Sequence, residues 1–265
     1  MISLLYHDVV SAGEGDSSGF PGGDANIYKL DRLEFEAHLN LIEQTLKSRR
    51  VETIDSASKQ LRAGSVLFTF DDGGASATSI GELLENHNWR GHFFVTTDYI
   101  GKPGFLTATQ IRDLHARGHV IGSHSCSHPP RMSHCTSEQL MYEWSNSVRI
   151  LSEIVGIRVK TASVPGGYYS IAVARAAASA GIEVLFNSEP ENCMRTIDGC
   201  LVIGRYSIQQ GVSARTAARI ASEEWSPRAQ QYLFWNVKKF VKRAGGSYYI
   251  ALRKSLLKNA KAGTK

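Results

Sequence analysis

The run Ser65-Val66-Leu67-Phe68-Thr69-Phe70-Asp71-Asp72-Gly73-Gly74 decides the architecture of this 265-residue chain. Its first six residues are mostly apolar, β-branched or aromatic and follow Gly64, the pattern of a strand buried on both faces in a parallel sheet. The Asp-Asp-Gly-Gly after them supplies turn geometry, so both aspartates stand where the strand releases its chain. Further on, His119-Val120-Ile121-Gly122 reads as another short strand. His124 and His128 come next, at the four-residue separation that puts two side chains on one face of a helical turn. One carboxylate of the Asp71/Asp72 pair and the two imidazoles could bind a divalent cation with a position left for water, and the other carboxylate could take that water's proton. This points to hydrolysis, with an amide as the expected bond. Alone, Asp-Asp-Gly is most often only a turn. Two such pieces, each after a strand, make a site.

Outward from that run, apolar strand candidates at 2–6, 65–70, 91–96, 119–122, 160–164, 183–186 and 201–206 alternate with helical patterns near 31–48, 75–88, 107–117, 136–155, 170–180 and 213–224. The rhythm implies right-handed β-α units around a parallel sheet. Asp31 with Glu34, Thr107 and Thr136 fit N-cap chemistry. Met1-Ile2-Ser3-Leu4-Leu5-Tyr6 is a hydrophobic strand, so His7 leaves it at the position where Asp71 leaves its own. Parallel strand ends converge on one face of a barrel, which brings His7 to the metal ligands. Residues 11–24 form a long Gly-rich loop just past His7, either a lid over the site or a mobile linker. His92, His115, His119 and His134 read as structural or solvated; His38 and His87 carry no signal.

Charge divides the chain unevenly. The whole is +5, yet residues 228–265 hold ten Lys or Arg and no acid, leaving 1–227 with twenty basic and twenty-five acidic residues, a net of −5. In the tail Leu233, Val237, Phe240, Val241 and Ala244 follow helical spacing with Lys238, Lys239, Lys242 and Arg243 between them, and a second pattern runs through Tyr249, Leu252 and Leu256. Such a segment suits an anionic membrane surface, or packs its apolar stripe on the body of the protein. Nucleic acid is not an expected partner, because no binding module accompanies the charge. No secretory signal or spanning segment is visible, so the expected location is cytoplasmic, with peripheral contact at the inner face of the membrane. Cys126, Cys135, Cys193 and Cys200 fit free thiols, with a Cys193–Cys200 bridge as the exported alternative.

The motifs Thr69-Phe70-Asp71-Asp72-Gly73, His124-Ser125-Cys126-Ser127-His128 and Ser163-Val164-Pro165-Gly166-Gly167-Tyr168 resemble, in order, the three leading motifs of the polysaccharide deacetylases of NodB-homology type, carbohydrate esterase family 4. The Leu4-Leu5-Tyr6-His7-Asp8-Val9 opening resembles the branch that partially deacetylates poly-N-acetylglucosamine. The resemblance implies an irregular (β/α) barrel of about seven parallel strands over residues 1–227, with 228–265 as a basic amphipathic helical tail. It implies Asp71 as catalytic base, His7 as catalytic acid, and Asp72, His124 and His128 as ligands of a divalent metal ion, zinc being expected. Pro165, Gly166, Gly167 and Tyr168 would line the groove and hold the acetyl oxygen, with Arg205 grouped among them.

Two departures stand out. The third motif usually opens with an Arg that orients the catalytic Asp, where this chain has Ser163, and Arg205 is the expected substitute. The usual late-strand His is missing, since all nine histidines lie at or before His134, and His7 is the expected replacement. The implied reaction is removal of acetyl from N-acetylhexosamine units of a glycan or a lipid-linked sugar precursor. Phe20, Tyr168, Tyr169 and Asn187 to Glu189 are candidate sugar contacts. The departures also leave a catalytically silent glycan-binding barrel as an alternative, and an amidase acting on a cyclic ureide as a third reading.

Overall fold

The computed structural model describes residues 1–46, 49–54 and 64–237. In chain order its strands are β1 (Ile2–Tyr6), β2 (Val9–Val10), β3 (Leu30–Asp31), β4 (Arg50–Val51), β5 (Ser65–Phe70), β6 (His92–Val95), β7 (Val120–Ser123), β8 (Thr161–Ser163), β9 (Val184–Phe186), β10 (Met194–Ile197), β11 (Cys200–Ile203) and β12 (Tyr206–Ser207). Between them lie α1 (Gly23–Asn26), α2 (Arg32–Thr45), α3 (Ala77–Glu85), α4 (Ala108–Ala116), α5 (Ser137–Val155), α6 (Ile171–Ser179) and α7 (Ala214–Ala221), and a further helix covers 225–237. Helix starts follow local chemistry: Thr107 with Gln110 and Thr136 with Gln139 form reciprocal capping boxes. Asp31 instead accepts from Leu33 N and leaves Glu34 out.

One sheet has the order β10-β11-β9-β8-β7-β6-β5-β1-β12, with β4 also paired to β5. Its ladders are parallel except the β10–β11 hairpin. The expected run 201–206 is cut in two at Gly204-Arg205. β11 pairs with β9 near one edge of the sheet, whereas β12 pairs with β1 at the other. The sheet therefore curls until its ends are bridged by those two residues, giving an irregular, mostly parallel barrel flanked by helices. β2, β3 and β4 carry two residues each, too few for a periodic signal, and β10 is largely exposed.

Strand alternation sorts side chains to the two faces. Outward, Leu4, Tyr6, Val66, Phe68 and Phe70 join Phe35, Leu39 and Trp89 of the helical layer in the largest core. Inward, Leu67, Phe94, Val184, Phe186 and Ile203 fill the barrel. The same period of two, carried one step past the strand ends, sets inward positions at His7 beyond Leu5, Asp71 beyond Thr69, His124 beyond Gly122 and Arg205 beyond Ile203. Apolar packing below thus gives way to polar chemistry at one rim.

Gly122 marks how tightly the interior is filled. A Cβ there would lie 2.5 Å from two carbons of the Phe94 ring and 2.7 Å from Thr161 Oγ1. Gly122→Val is therefore expected to lower unfolding free energy by about 2–3 kcal/mol through overpacking. Chemical denaturation would measure it, and an unchanged midpoint would show that Phe94 can move aside.

Candidate active site

Arg205 and Asp71 form the innermost layer. Arg205 Nη1 and Nη2 donate to Asp71 Oδ1 and Oδ2 at 2.7 and 2.8 Å, a two-pronged contact with the guanidinium fully buried. Its Nε donates to Asn187 O at 2.8 Å, and Nη1 also reaches Thr69 Oγ1 at 3.2 Å. Burial alone would raise the Asp71 carboxyl, but Arg205 first, then His124 and His7, hold it far below the usual carboxylate range. The carboxylate is ionised.

Ser163 joins this layer to the next. Its hydroxyl donates to Asp71 Oδ1 at 3.0 Å and lies 2.5 Å from His124 Nδ1, which is also 3.2 Å from Ser163 O. An ionised Asp71 only accepts, so the single Ser163 proton goes to it and the hydroxyl accepts from His124 Nδ1–H. That fixes the tautomer and frees Nε2 as a ligand.

Asp72 faces the two histidines. Its Oδ1 is 3.4 Å from His124 Nε2 and 3.6 Å from His128 Nε2, and one donor atom from each residue lies within 4.8 Å of the others. Asp72 reaches this position in the left-handed region (φ 77°), followed by Gly73 in the same region (φ 77°), a turn that Asp and Gly tolerate. Burial would raise its carboxyl; His124, His7 and His128 outweigh that and lower it. Burial, with His124 beside it, pushes His128 down to about 4. One carboxylate and two imidazoles, one with its tautomer locked, are a donor set that fits a divalent transition metal.

The residues between the histidines do not form the expected helical turn. Ser125 (φ 65°) and His128 (φ 56°) are both left-handed, so the ligands converge through an irregular loop. Glu143 of α5 shapes it: Oε2 accepts from Cys126 N and Ser127 N at 2.8 and 2.9 Å, and Oε1 from the Ser127 hydroxyl at 2.6 Å. His128 N donates to Ser125 Oγ at 3.1 Å. Cys126 is buried with its thiol pushed up to about 11, and it stands outside the ligand set. Sequence reading missed Glu143. The signal was available, because Glu143 lies on the apolar stripe Leu140, Trp144, Val148, Leu151, where a charge needs buried partners.

These groups open into a cavity of about 560 Å³ lined by His7, Asp71, Asp72, His124 and His128, with Gly166, Gly167, Ser188 and Trp235 on its walls. His7 packs its ring on Tyr28, centroids 4.6 Å apart, and its Nδ1 has no hydrogen-bond partner among the described residues. Phe20 is no part of a loose linker: its ring meets Tyr99, Phe105 and His128 at 4.8, 5.2 and 4.8 Å. Lys29 Nζ, donating to Gly15 O and Phe20 O at 2.6 and 2.7 Å, holds that loop in place. Arg205 lies behind Asp71 and does not line the cavity, nor do Pro165 and Tyr168. The Gly167 and Tyr168 amides bond back to Val164 O and Pro165 O, both at 3.4 Å. Of the other sugar-contact candidates Ser188 lines the cavity, while Asn187 is buried and its Oδ1 accepts from Glu189 N.

Residues 58–185 match the family described as polysaccharide deacetylase. Over that stretch, just under half of its length, the chain is similar to the polysaccharide deacetylases. A curated relative, the Bacillus subtilis (strain 168) protein YxkH, whose name places it in the same group, is 25% identical over 215 residues, covering 79% of this chain and 72% of its own. Among solved structures, the Streptococcus pyogenes deacetylase PplD in complex with acetate superposes with a TM-score of 0.66 at 17% identity, covering 81% of this chain and 95% of that one. IcaB from Ammonifex degensii gives 0.60 at 17% identity, covering 84% and 100%. Those two likenesses carry the fold. The family match stops short of both His7 and Arg205.

Two outlying expectations fall on other parts of the chain. All four cysteines are free thiols. Cys200 pairs across the hairpin with Ile197, whereas Cys193 precedes Met194, the partner of Ile203, so the two sulfurs sit at opposite ends of the ladder. The boundary expected at 227/228 falls inside helix 225–237, which is tied to the barrel by Arg228 Nε to the Tyr206 hydroxyl and Gln231 Nε2 to Ser207 O. The rest of the basic tail, 238–265, lies outside the described residues.

Glu143→Ala would release two loop amides and the Ser127 hydroxyl. Zinc affinity, read by competition with a chelator dye, is expected to fall about 10–100-fold, as for other groups that orient a ligand. Unchanged affinity would show that the loop keeps its shape unaided.

Proposed function

We propose that the chain is a metal-dependent N-deacetylase that hydrolyses the acetamido group of N-acetylhexosamine units in a glycan or glycan precursor, releasing acetate and a free amino sugar. The match of residues 58–185 to the polysaccharide deacetylases supports glycan deacetylation. The observation that carries the finer reading is the ionised Asp71, held by Arg205 and Ser163, sharing one cavity with the Asp72–His124–His128 donor set and His7. Asp72, His124 and His128 would hold a divalent cation, with zinc expected, which would supply Lewis-acid activation of water and of the acetyl carbonyl.

The protein's own groups account for the proton traffic. Asp71 takes a proton from the attacking water as the new C–O bond forms. Its low proton affinity keeps it ready over a wide pH range, and Arg205 fixes its orientation. His7, which leaves β1 beside the end of β5, gives a proton to the nitrogen as the C–N bond breaks, so that the amine leaves neutral. Gly166 and Gly167 bound the space for the acetyl group. The name of PplD records acetate as its bound molecule, which agrees with an acetyl-sized product. A lipid-linked precursor and a polymer such as poly-N-acetylglucosamine are both substrates of this chemical class.

Asp71→Asn is expected to retain zinc by elemental analysis yet lose about 10²–10⁴-fold in acetate release from N-acetylglucosamine oligomers, the range for a general base. Full turnover in that variant would remove Asp71 from the role. Arg205→Lys replaces a two-pronged contact with a point charge. Because Arg205 is the main influence lowering Asp71, weakening it raises the pKa, and the acid limb of kcat/KM should move to higher pH. An unmoved limb would separate Arg205 from the ionisation of the base.

A further inference from the structure

Helix 225–237 has two unlike faces. One, through Arg228, Gln231 and Trp235, is fastened to the barrel; the Trp235 ring approaches to 3.0 Å from where a Gly167 Cβ would stand. The other is turned away and is apolar: Trp225, Leu233 and Val237 are 78%, 64% and 62% exposed. Leu233 and Val237 are one helical turn apart and so share a patch. Phe234, 70% exposed, stands at the side and lines the cavity, which puts the patch beside its mouth. Solvated apolar surface of this kind marks an interaction site.

We propose that this face of helix 225–237 is a docking surface for an anionic lipid bilayer, and that docking sets the mouth of the cavity against the membrane. Charge identifies the occupant. Residues 238–265 add nine Lys or Arg and no Asp or Glu, interleaved with Phe240, Val241, Tyr249 and Leu252. Residues 1–237, with 21 basic and 25 acidic residues, carry a net −4 and are repelled by anionic lipid, so the attraction comes from the sequence that follows them. Among the described residues no helix is long and apolar enough to cross a membrane, and an apolar patch followed in sequence by cations suits the interface. The surface deepens the deacetylase reading by favouring a sugar presented at the bilayer, and the docking itself is independent of catalysis.

The test sediments the full chain with vesicles of phosphatidylcholine alone and of phosphatidylcholine with phosphatidylglycerol. Partition onto the anionic vesicles should exceed that onto neutral ones by about tenfold or more and fall as salt is raised. The double variant Leu233→Glu/Val237→Glu should lower it by about tenfold while leaving the melting temperature and acetate release from soluble oligomers unchanged. Wild-type protein that stays in the supernatant with both vesicles overturns the proposal. So does a double variant that sediments like wild type, or a concentration-dependent dimer that the double variant abolishes. Sedimentation without any acetate release would sink the deacetylase reading and leave the docking surface standing.

Discussion

The contact between Arg205 and Asp71 is the constraint on which the remaining structure depends. Taking both charges out of water costs several kcal/mol per ion, recovered only where geometry and additional hydrogen bonds are complete. Here they are: the guanidinium donates to both carboxylate oxygens, to Asn187 O and to Thr69 Oγ1, and it lies over the Phe94 and Phe186 rings at 5.8 and 6.0 Å. Arg205 also belongs to the two-residue bridge between β11 and β12 where the curled sheet meets itself. Gly204 beside it has no room for a side chain, since a Cβ would fall 2.5 Å from both Glu189 O and Glu191 O. One pair therefore closes the barrel and fixes the ionisation of the group best placed to act as base.

Four carboxylates near the rim are separated by their partners rather than by their burial. Asp71 and Asp72 are lowered, one by a guanidinium and the other by imidazoles. Asp8, next to His7, is equally enclosed but has only the Ser18 and Ser76 hydroxyls as hydrogen-bond donors, so burial raises it, and Asp72 raises it further. Glu143 is spent on backbone amides and shapes the histidine loop. Opposite shifts in one small region separate groups that must be ionised from those that serve as scaffold.

Most of the frame was legible because local signals agreed with the global fold. Seven apolar runs became strands and six periodic stretches became helices within a few residues, helped by caps whose chemistry is local. The His124–His128 loop was misread because a four-residue spacing is necessary but not sufficient for a helical turn, and left-handed Ser and His residues leave no mark in composition. Arg205 and Asp71 are 134 positions apart, a pairing that strand parity can suggest but only the curl of the sheet can make. Trp235 lay in a stretch read as a basic amphipathic tail for a membrane surface or for packing on the barrel, and the first part of that stretch is a wall of the cavity.

That last difference divides the site into two kinds of material. The chemical groups project from strand ends or the turns just past them, and the barrel beneath holds them by packing. The outer wall comes from the 15–29 loop and from helix 225–237, elements attached by a few polar contacts. These are not mechanically independent of the donor set, because Phe20, whose carbonyl is held by Lys29, rests its ring on His128. Displacement of the loop would therefore be felt at His128, whereas displacement of Trp235 would be felt at Gly167. The outer wall can vary at Phe234 and Trp235 without disturbing the Asp72–His124–His128 donor set, but not at Phe20, and this asymmetry follows from which wall touches an imidazole.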